Sequence, residues 1–308
     1  MHNQNKMKKF LPIALLLACT LVMASCRAEQ TTAPKTPFTK DNLLAWCIVP
    51  YDAKARNAEE RGRMLRELGF TKYVYDWRER HLAAFEAELQ AIKRYGIKLE
   101  GVWFWVDGGG ELLERNHWHI LETLRQNGVS TTLWVSFNPR FFENLSATEK
   151  LEKGVRAVRE IRRIAAEAGC KIALYNHGDW FGDPRHQIEI IKALQAKDIG
   201  LVYNFHHAHE QIAEFPLLLQ AMQPYLWAVN LNGMRAAGPK ILPLGEGDRE
   251  LEMLRVLRAS NFAGSIGILG HVEEEDARVV LERNLAGLQT LLKKLGDEKA
   301  LRTFRVGL

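Results

Sequence analysis

The chain has 308 residues, 47% of them hydrophobic, which is ample for a large core, and a formal net charge of +5. Residues 1–25 contribute three Lys and no acid, so beyond them 39 basic side chains face 37 acidic ones, a net of +2. That balance, with no Lys/Arg block and no aromatic stacking platform, gives no argument for nucleic acid, and no nucleic-acid partner is expected.

Lys6, Lys8 and Lys9 precede an apolar run, Phe10 to Met23, which is short for a membrane span and lacks a charged far flank. Ala24-Ser25-Cys26 follows. The layout predicts a signal peptide over 1–25. It resembles a bacterial lipoprotein signal, with Cys26 as the lipidated residue and the chain held to a membrane of the cell envelope through that lipid. Leu16-Leu17-Ala18-Cys19 is a competing site that would leave a very short apolar region. Plain secretion and an uncleaved anchor are the other readings. Residues 26–40 are polar, contain Thr and Pro, and read as a tether. Residues 41–297 have the size of one α/β barrel, and 298–308 read as a C-terminal tail. Cys47 falls in a predicted strand and Cys170 at the start of another, as two buried thiols rather than a disulfide.

Within the domain, short apolar runs alternate with amphipathic helices. Strands are predicted at Leu44–Val49, Thr71–Asp76, Lys98–Val106, Ser130–Phe137, Lys171–His177, Gly200–His206, Leu226–Asn232 and Ser265–His271. Helices are predicted at Glu59–Leu68, His81–Tyr95, Glu111–Gln126, Ala147–Ala168, Pro184–Ala196, Glu210–Met222, Asp248–Ser260 and Glu274–Leu295. Pro184 suits a first helical turn and Asp248 an N-cap. Eight strand–helix units predict a closed (β/α)8 TIM barrel, with a doubly wound open sheet as the alternative. No G-x-G-x-x-G follows the first strand, so no nucleotide cofactor is expected.

Sites on such barrels form at the carboxyl ends of the strands. Those ends read Asp52; Asp76 and Arg78; Asp107; Ser136, Asn138 and Arg140; Asn176 and His177; Asn204, His206, His207 and His209; Asn230 and Asn232; and His271 and Glu273. Alternation along the strands lets His177, Asn230, Asn232 and His271 face the mouth, while strand six leaves open which of its histidines do. His81, His117 and His119 read as surface or packing residues on helices. Asn230 and Asn232 suit loop-satisfying amides as well as substrate contacts. Trp103, Trp105 and Trp180 suit packing as well as sugar stacking. Gly245-Glu246-Gly247-Asp248 reads as a turn with an N-cap, or as backbone N–H groups for an anionic or hydroxyl-rich ligand.

Four segments, Leu174–Gly182, Val202–His209, Val229–Met234 and Ile241–Asp248, together resemble the xylose isomerase-like barrel superfamily of sugar phosphate isomerases and epimerases. The resemblance covers roughly Leu44 to Leu295. It implies proton transfer next to a carbonyl of a free sugar, keto-sugar or glycoside: isomerisation, epimerisation, or elimination and hydration. Laid on the strand-end residues, that chemistry is expected to use His177, His207 and His206 in acid/base roles, with substrate contacts from Asn176, Trp180, Asn204, Asn230, Asn232 and Glu246. The superfamily's metal is held by acids that here become Tyr175 or Asn176, Asn204 and the Leu269–His271 stretch. A divalent metal (Zn2+, Co2+, Ni2+ or Mn2+) on His209 and His271, with His177 or His207, is one reading; loss of the metal is the other. A non-catalytic glycan-binding lipoprotein on a degenerate barrel is the alternative function. Crowded imidazoles repel one another when protonated, so function is expected to fail below about pH 6.

Overall fold

In the computed structural model, which describes residues 36–305, the β-branched and aromatic runs form eight parallel strands. They are β1 (Leu43–Trp46), β2 (Lys72–Tyr75), β3 (Lys98–Val106), β4 (Thr132–Phe137), β5 (Lys171–Tyr175), β6 (Ile199–Asn204), β7 (Leu226–Leu231) and β8 (Ser265–Leu269). They pair in sequence order and close: Leu44 of β1 lies beside Lys72 of β2 on one side and Gly267 of β8 on the other. The barrel is therefore a (β/α)8 barrel, with helices in every crossover.

Strand alternation divides the apolar side chains into two layers. Leu44, Trp46, Val74, Trp134, Ala173, Tyr175, Val202, Ala228 and Leu269 fill the interior. Leu43, Ala45, Tyr73, Val102, Phe104 and Ile266 face the helices. The interior is aromatic, with Trp46 4.9 Å from Trp134 and Trp134 stacked on Tyr175. Small residues make room for it. A Cβ at Gly101 would come within 2.7 Å of the Trp134 indole nitrogen, and one at Gly267 within 1.9 Å of Asn230 Oδ1.

The helices begin where the sequence supplies caps. Asn57 with Glu60 and Ser146 with Glu149 close reciprocal capping boxes. Asp248 does not cap its helix: Arg249 holds that position without a side-chain bond, and the helix runs Glu250–Ala259. The predicted helix from Glu111 begins only at Arg115, because Gly108–Gly110 disfavour helical backbone just upstream. Two other predicted helices start as 3-10 turns, Glu79–Ala84 and His209–Glu214, before becoming α-helical at Phe85 and Phe215.

Several strands end earlier than predicted. His177, His206 and His271 stand just beyond β5, β6 and β8, on the first loop residues of the mouth. At β6 the cause is local: Asn204 Oδ1 accepts from the His206 N–H at 3.1 Å and turns the chain into the 3-10 turn Phe205–His207. Glu298–Thr303, inside the predicted tail, is a helix capped by Asp297 with Ala300 and Leu301 buried, and Phe38, in the predicted tether, is fully buried. Cys47 and Cys170 are free, buried thiols. Among the described residues no helix is long and apolar enough to cross a membrane. Cys26 and the signal segment lie outside the described residues.

Candidate active site

Four imidazoles from three loops meet at the carboxyl end of the barrel. His177 and His207 touch edge to face with ring centres 4.4 Å apart, and His207 meets His206 the same way at 4.4 Å. His206 lies 5.1 Å from His271, which packs on the Tyr51 ring at 3.6 Å. With Trp46, Cys47, Asp76, Arg78, Trp103 and Tyr175 they line a cleft of about 70 Å3. A larger cavity of about 500 Å3 shares His271 as a wall and is lined by Asn232, Glu246, Glu273, Glu274 and Glu275.

Burial controls the charge of this cleft. Enclosure, helped by His206 and Arg78, lowers His177 to about 4, and His271 is lowered likewise to about 4. His207 is pushed down further by burial and by the neighbouring rings, and His206 is lowered by burial. The rings are thus neutral at pH 7. The buried Nδ1 of His177 has no partner among the described residues. Asp76 moves the other way. Full burial raises its carboxyl to about 7, against the backbone N–H groups of Ile48 (3.3 Å) and Val49 (3.2 Å), which both donate to Oδ1. Its Oδ2 is buried without a partner. Beside it Cys47 takes a left-handed φ of 56°, an unfavourable backbone for a residue with a Cβ, and burial raises its thiol.

The structure does not bring every predicted residue into this cleft. Asn176 is spent on the backbone of Asn204, accepting from its N–H at 2.6 Å and donating to its carbonyl at 3.1 Å. Asn204 donates to the Tyr175 hydroxyl at 2.6 Å and lies below the cleft. Asn230 is buried one layer down against Gly267, with both amide atoms unpartnered. Trp180 stacks on His186 at 4.6 Å and packs on Phe142, away from the mouth. Asn232 staples the loop after β7: it donates to the Lys240 carbonyl at 2.6 Å and accepts from Leu242 N–H. His209 serves the same loop, with its ring nitrogens 2.9 Å from the Arg235 carbonyl and 3.0 Å from that of Lys240. Glu246 is exposed on the wall of the larger cavity. The Gly-Glu-Gly-Asp turn offers no open anion cradle, because the buried Glu250 carboxylate already takes the N–H groups of Gly245, Gly247 and Met234 at 3.1, 2.9 and 3.0 Å.

Tyr51, Cys47, Asp76 and Arg78 complete the cleft without having been assigned roles. Asp76 and Arg78 were readable as strand-end polar residues, and Asp76 shares the inward alternation of Val74. Cys47 lies inside the strand predicted to run to Val49 but just past the end of β1 at Trp46, and Tyr51 sits in irregular chain where no periodicity marks it.

A closed parallel barrel with a polar cleft at its carboxyl mouth defines the class: a (β/α)8 barrel with its site in the βα loops. More narrowly, residues 52–289 match the xylose isomerase-like TIM barrel family, and the chain belongs to it. An uncharacterised protein of Methanocaldococcus jannaschii is 28% identical over 137 residues, 42% of this chain and 46% of that protein, so the match spans about half of that relative's length. Among solved structures, a xylose isomerase domain containing protein of Salmonella typhimurium superposes with a TM-score of 0.64 at 13% identity, covering 84% of this chain and 100% of that one. The 3-keto-D-glucoside 4-epimerase of E. coli gives 0.58 at 19% identity, covering 82% and 99%. At these identities the superpositions speak for the fold.

The donor set does not fit the metal that the superfamily resemblance implies. Among the described residues no three His, Cys, Asp or Glu side chains converge as a metal ion requires. His177, His207 and His206 meet edge to face, whereas ligation needs nitrogen lone pairs aimed at one point about 2.0–2.1 Å from each. His209, expected as a ligand, faces backbone carbonyls instead.

Proposed function

We propose that the mouth catalyses proton transfer at a carbon next to the carbonyl of a sugar or keto-sugar, by isomerisation, epimerisation or elimination. The observation that carries this reading is the chain of touching imidazoles, His177–His207–His206, lining one cleft. Neutral rings accept protons, and His177 presents a buried Nδ1 with no competing partner among the described residues. In this reading His177 removes the proton and His207 takes part in its return. Asp76, whose carboxyl is held up to about 7, donates a hydrogen bond to the oxygen on which charge develops. His206, its Nδ1 3.2 Å from the Lys240 carbonyl, orients the pair. The family and the fold shared with the E. coli 3-keto-D-glucoside 4-epimerase support a sugar as the ligand.

The test is deuterium wash-in from D2O, followed by NMR over a panel of aldoses, ketoses, keto-sugars and sugar acids. Wild type should incorporate label into at least one of them, and His177→Ala and His207→Ala should reduce the rate by about 100-fold or more. Label that enters equally fast with both folded variants refutes the assignment.

A second reading is a glycan-binding protein on a barrel that has lost its chemistry, supported by the residues Tyr175 or Asn176, Asn204 and the Leu269–His271 stretch, which stand where the superfamily resemblance implies acids. Binding of a sugar with no wash-in selects it. In either case we propose that Cys26 carries a lipid that holds the domain at a membrane of the cell envelope, supported by the Ala24-Ser25-Cys26 sequence after an apolar run.

A further inference from the structure

Seven arginines among the described residues are buried or half-buried. Six of them, Arg56, Arg61, Arg162, Arg258, Arg278 and Arg283, have a carboxylate within ion-pair distance. The seventh, Arg78, has none among the described residues, and it is the one that lines the histidine cleft. Removing a guanidinium from water without a counter-charge is costly, so an unpaired one in a cleft calls for a partner that arrives from outside.

Arg78 is held in place ahead of any such partner. It donates to the Trp77 carbonyl at 2.8 Å and to the Tyr51 hydroxyl at 2.6 Å, and it lies over the Trp103 and Tyr51 rings at 4.8 and 5.3 Å. Two of its five N–H donors are used, and the ring contacts leave its edge for a ligand. A planar two-oxygen acceptor matches that edge. The neighbouring groups do not supply one: the Arg78 charge reaches Asp76 and pulls against the rise of its carboxyl, but Asp76 lies beyond ion-pair distance and directs Oδ1 at the backbone N–H groups of Ile48 and Val49, and the four imidazoles carry no negative charge. On the far side of His271, Glu246, Glu273, Glu274 and Glu275 line the larger cavity together with Arg283, which pairs with Glu275 at 2.9 Å. The acids outnumber that one arginine, so the wall disfavours an anion and suits the hydroxyl groups of a neutral sugar ring. The two ends of the mouth thus differ in charge, and a ligand with one acidic end has one favoured orientation.

We propose that the ligand of this mouth is a sugar acid, whose carboxylate pairs with Arg78 while its hydroxylated remainder extends past His271 towards the glutamate-lined cavity. The proposal rests on the reading of the mouth as a sugar site and narrows its substrate class.

The experiment uses the full chain in detergent and calorimetric titration with D-glucuronate and D-galacturonate, the corresponding neutral hexoses, and the corresponding hexose phosphates. At least one uronate should bind about tenfold or more tightly than its neutral counterpart, with the preference shrinking as salt is raised. Arg78→Gln should abolish that preference, and Arg78→Lys should keep part of it by keeping the charge without the fork. If Arg78→Gln fails to fold, Arg78→Lys and the salt series decide. The proposal is overturned if no uronate binds up to about 10 mM, if the hexose phosphates are preferred, or if the acid preference survives in a folded Arg78→Gln. Deuterium wash-in separates this outcome from the parent reading. Arg78-dependent uronate binding without wash-in keeps the acid site and refutes the enzyme. Wash-in into neutral sugars without an acid preference keeps the enzyme and refutes the acid site.

Discussion

Replacing Asp76 with Asn tests whether the buried carboxyl holds its proton to near neutrality. The folded barrel keeps that proton up to about pH 7, while an exposed Asp releases it near 3.8. Between those values the native state binds more protons than the unfolded chain, so this group's contribution to stability falls as pH rises through the window. Asparagine removes the titration and preserves the geometry: its Oδ1 can still accept from Ile48 and Val49, and its NH2 replaces an oxygen that has no partner. The stability of Asp76→Asn relative to wild type should therefore grow by about 2–3 kcal/mol between about pH 5 and about pH 8. For a domain of this size that corresponds to a melting-temperature offset larger by about 4–10 °C at the higher pH. Melts of both proteins at the two pH values, followed by circular dichroism, measure it. Turnover of the same variant should fall about tenfold or more, because the acidic donor is lost. An equal offset at both pH values would show that Asp76 is ionised in the folded protein throughout, and its role as a neutral donor would have to be dropped.

Burial lowers His177 to about 4, so the acid limb of turnover should lie near that value rather than near 6, as an unperturbed imidazole gives; a rate profile that collapses at 6 contradicts this. The same depression means that folded His177 and His271 resist protonation that the unfolded chain accepts below about 6.5, so their stabilising contribution is lost as pH falls from there through about 4. Acid titration of a His177→Ala, His271→Ala double variant should show a shallower loss of stability over that range. Glu250→Gln keeps one acceptor oxygen but turns an NH2 towards the N–H of Met234 or those of Gly245 and Gly247; it should cost about 1.5–3 kcal/mol, read as a lower urea midpoint, and an unchanged midpoint refutes the anchoring role. Cys26→Ser should abolish metabolic lipid labelling, and persistence of the label would place the lipid elsewhere.

The barrel was legible because its signals are local and repeated. Apolar runs of strand length, separated by amphipathic helices with glycine or a cap at their ends, specify eight units, and eight close. The site was legible only in part, and the misses have physical causes. Strand alternation identifies inward residues as long as the strand continues. At β6 it stops at Asn204, whose side chain turns the chain, so His206 and His207 both enter the mouth while His209 leaves it. Periodicity cannot foresee that turn. Nor does sequence show which polar groups are already satisfied. The Gly-Glu-Gly-Asp turn looks open to a ligand until the buried first-turn carboxylate of Glu250 is found inside it, and before folding that residue resembles any other first-turn acid. Asn176, Asn232 and His209 were correctly placed near strand ends, but their side chains are spent on backbone groups.

Unsatisfied groups separate the functional residues from these structural ones. Most buried polar groups in this barrel are paired, as folding requires. Among the described residues, five of the ten exceptions fall at the carboxyl mouth or just beneath it, Trp46 Nε1, His177 Nδ1, Asp76 Oδ2 and both amide atoms of Asn230, while the other five, on Tyr73, Glu100, Gln187, Arg283 and Asp297, lie elsewhere. The mouth also holds a left-handed non-glycine residue, Cys47, and the one buried or half-buried arginine without a carboxylate among those described, Arg78. Each of these is unfavourable for stability taken alone. A core under selection only to fold has no use for neutral imidazoles packed together, a carboxyl held protonated to about pH 7 and a guanidinium with no carboxylate in ion-pair distance within one cleft. Local violations of this kind collect where a protein binds or reacts. Their clustering supports a working site more directly than the histidine count does, because histidines that merely packed would have found partners.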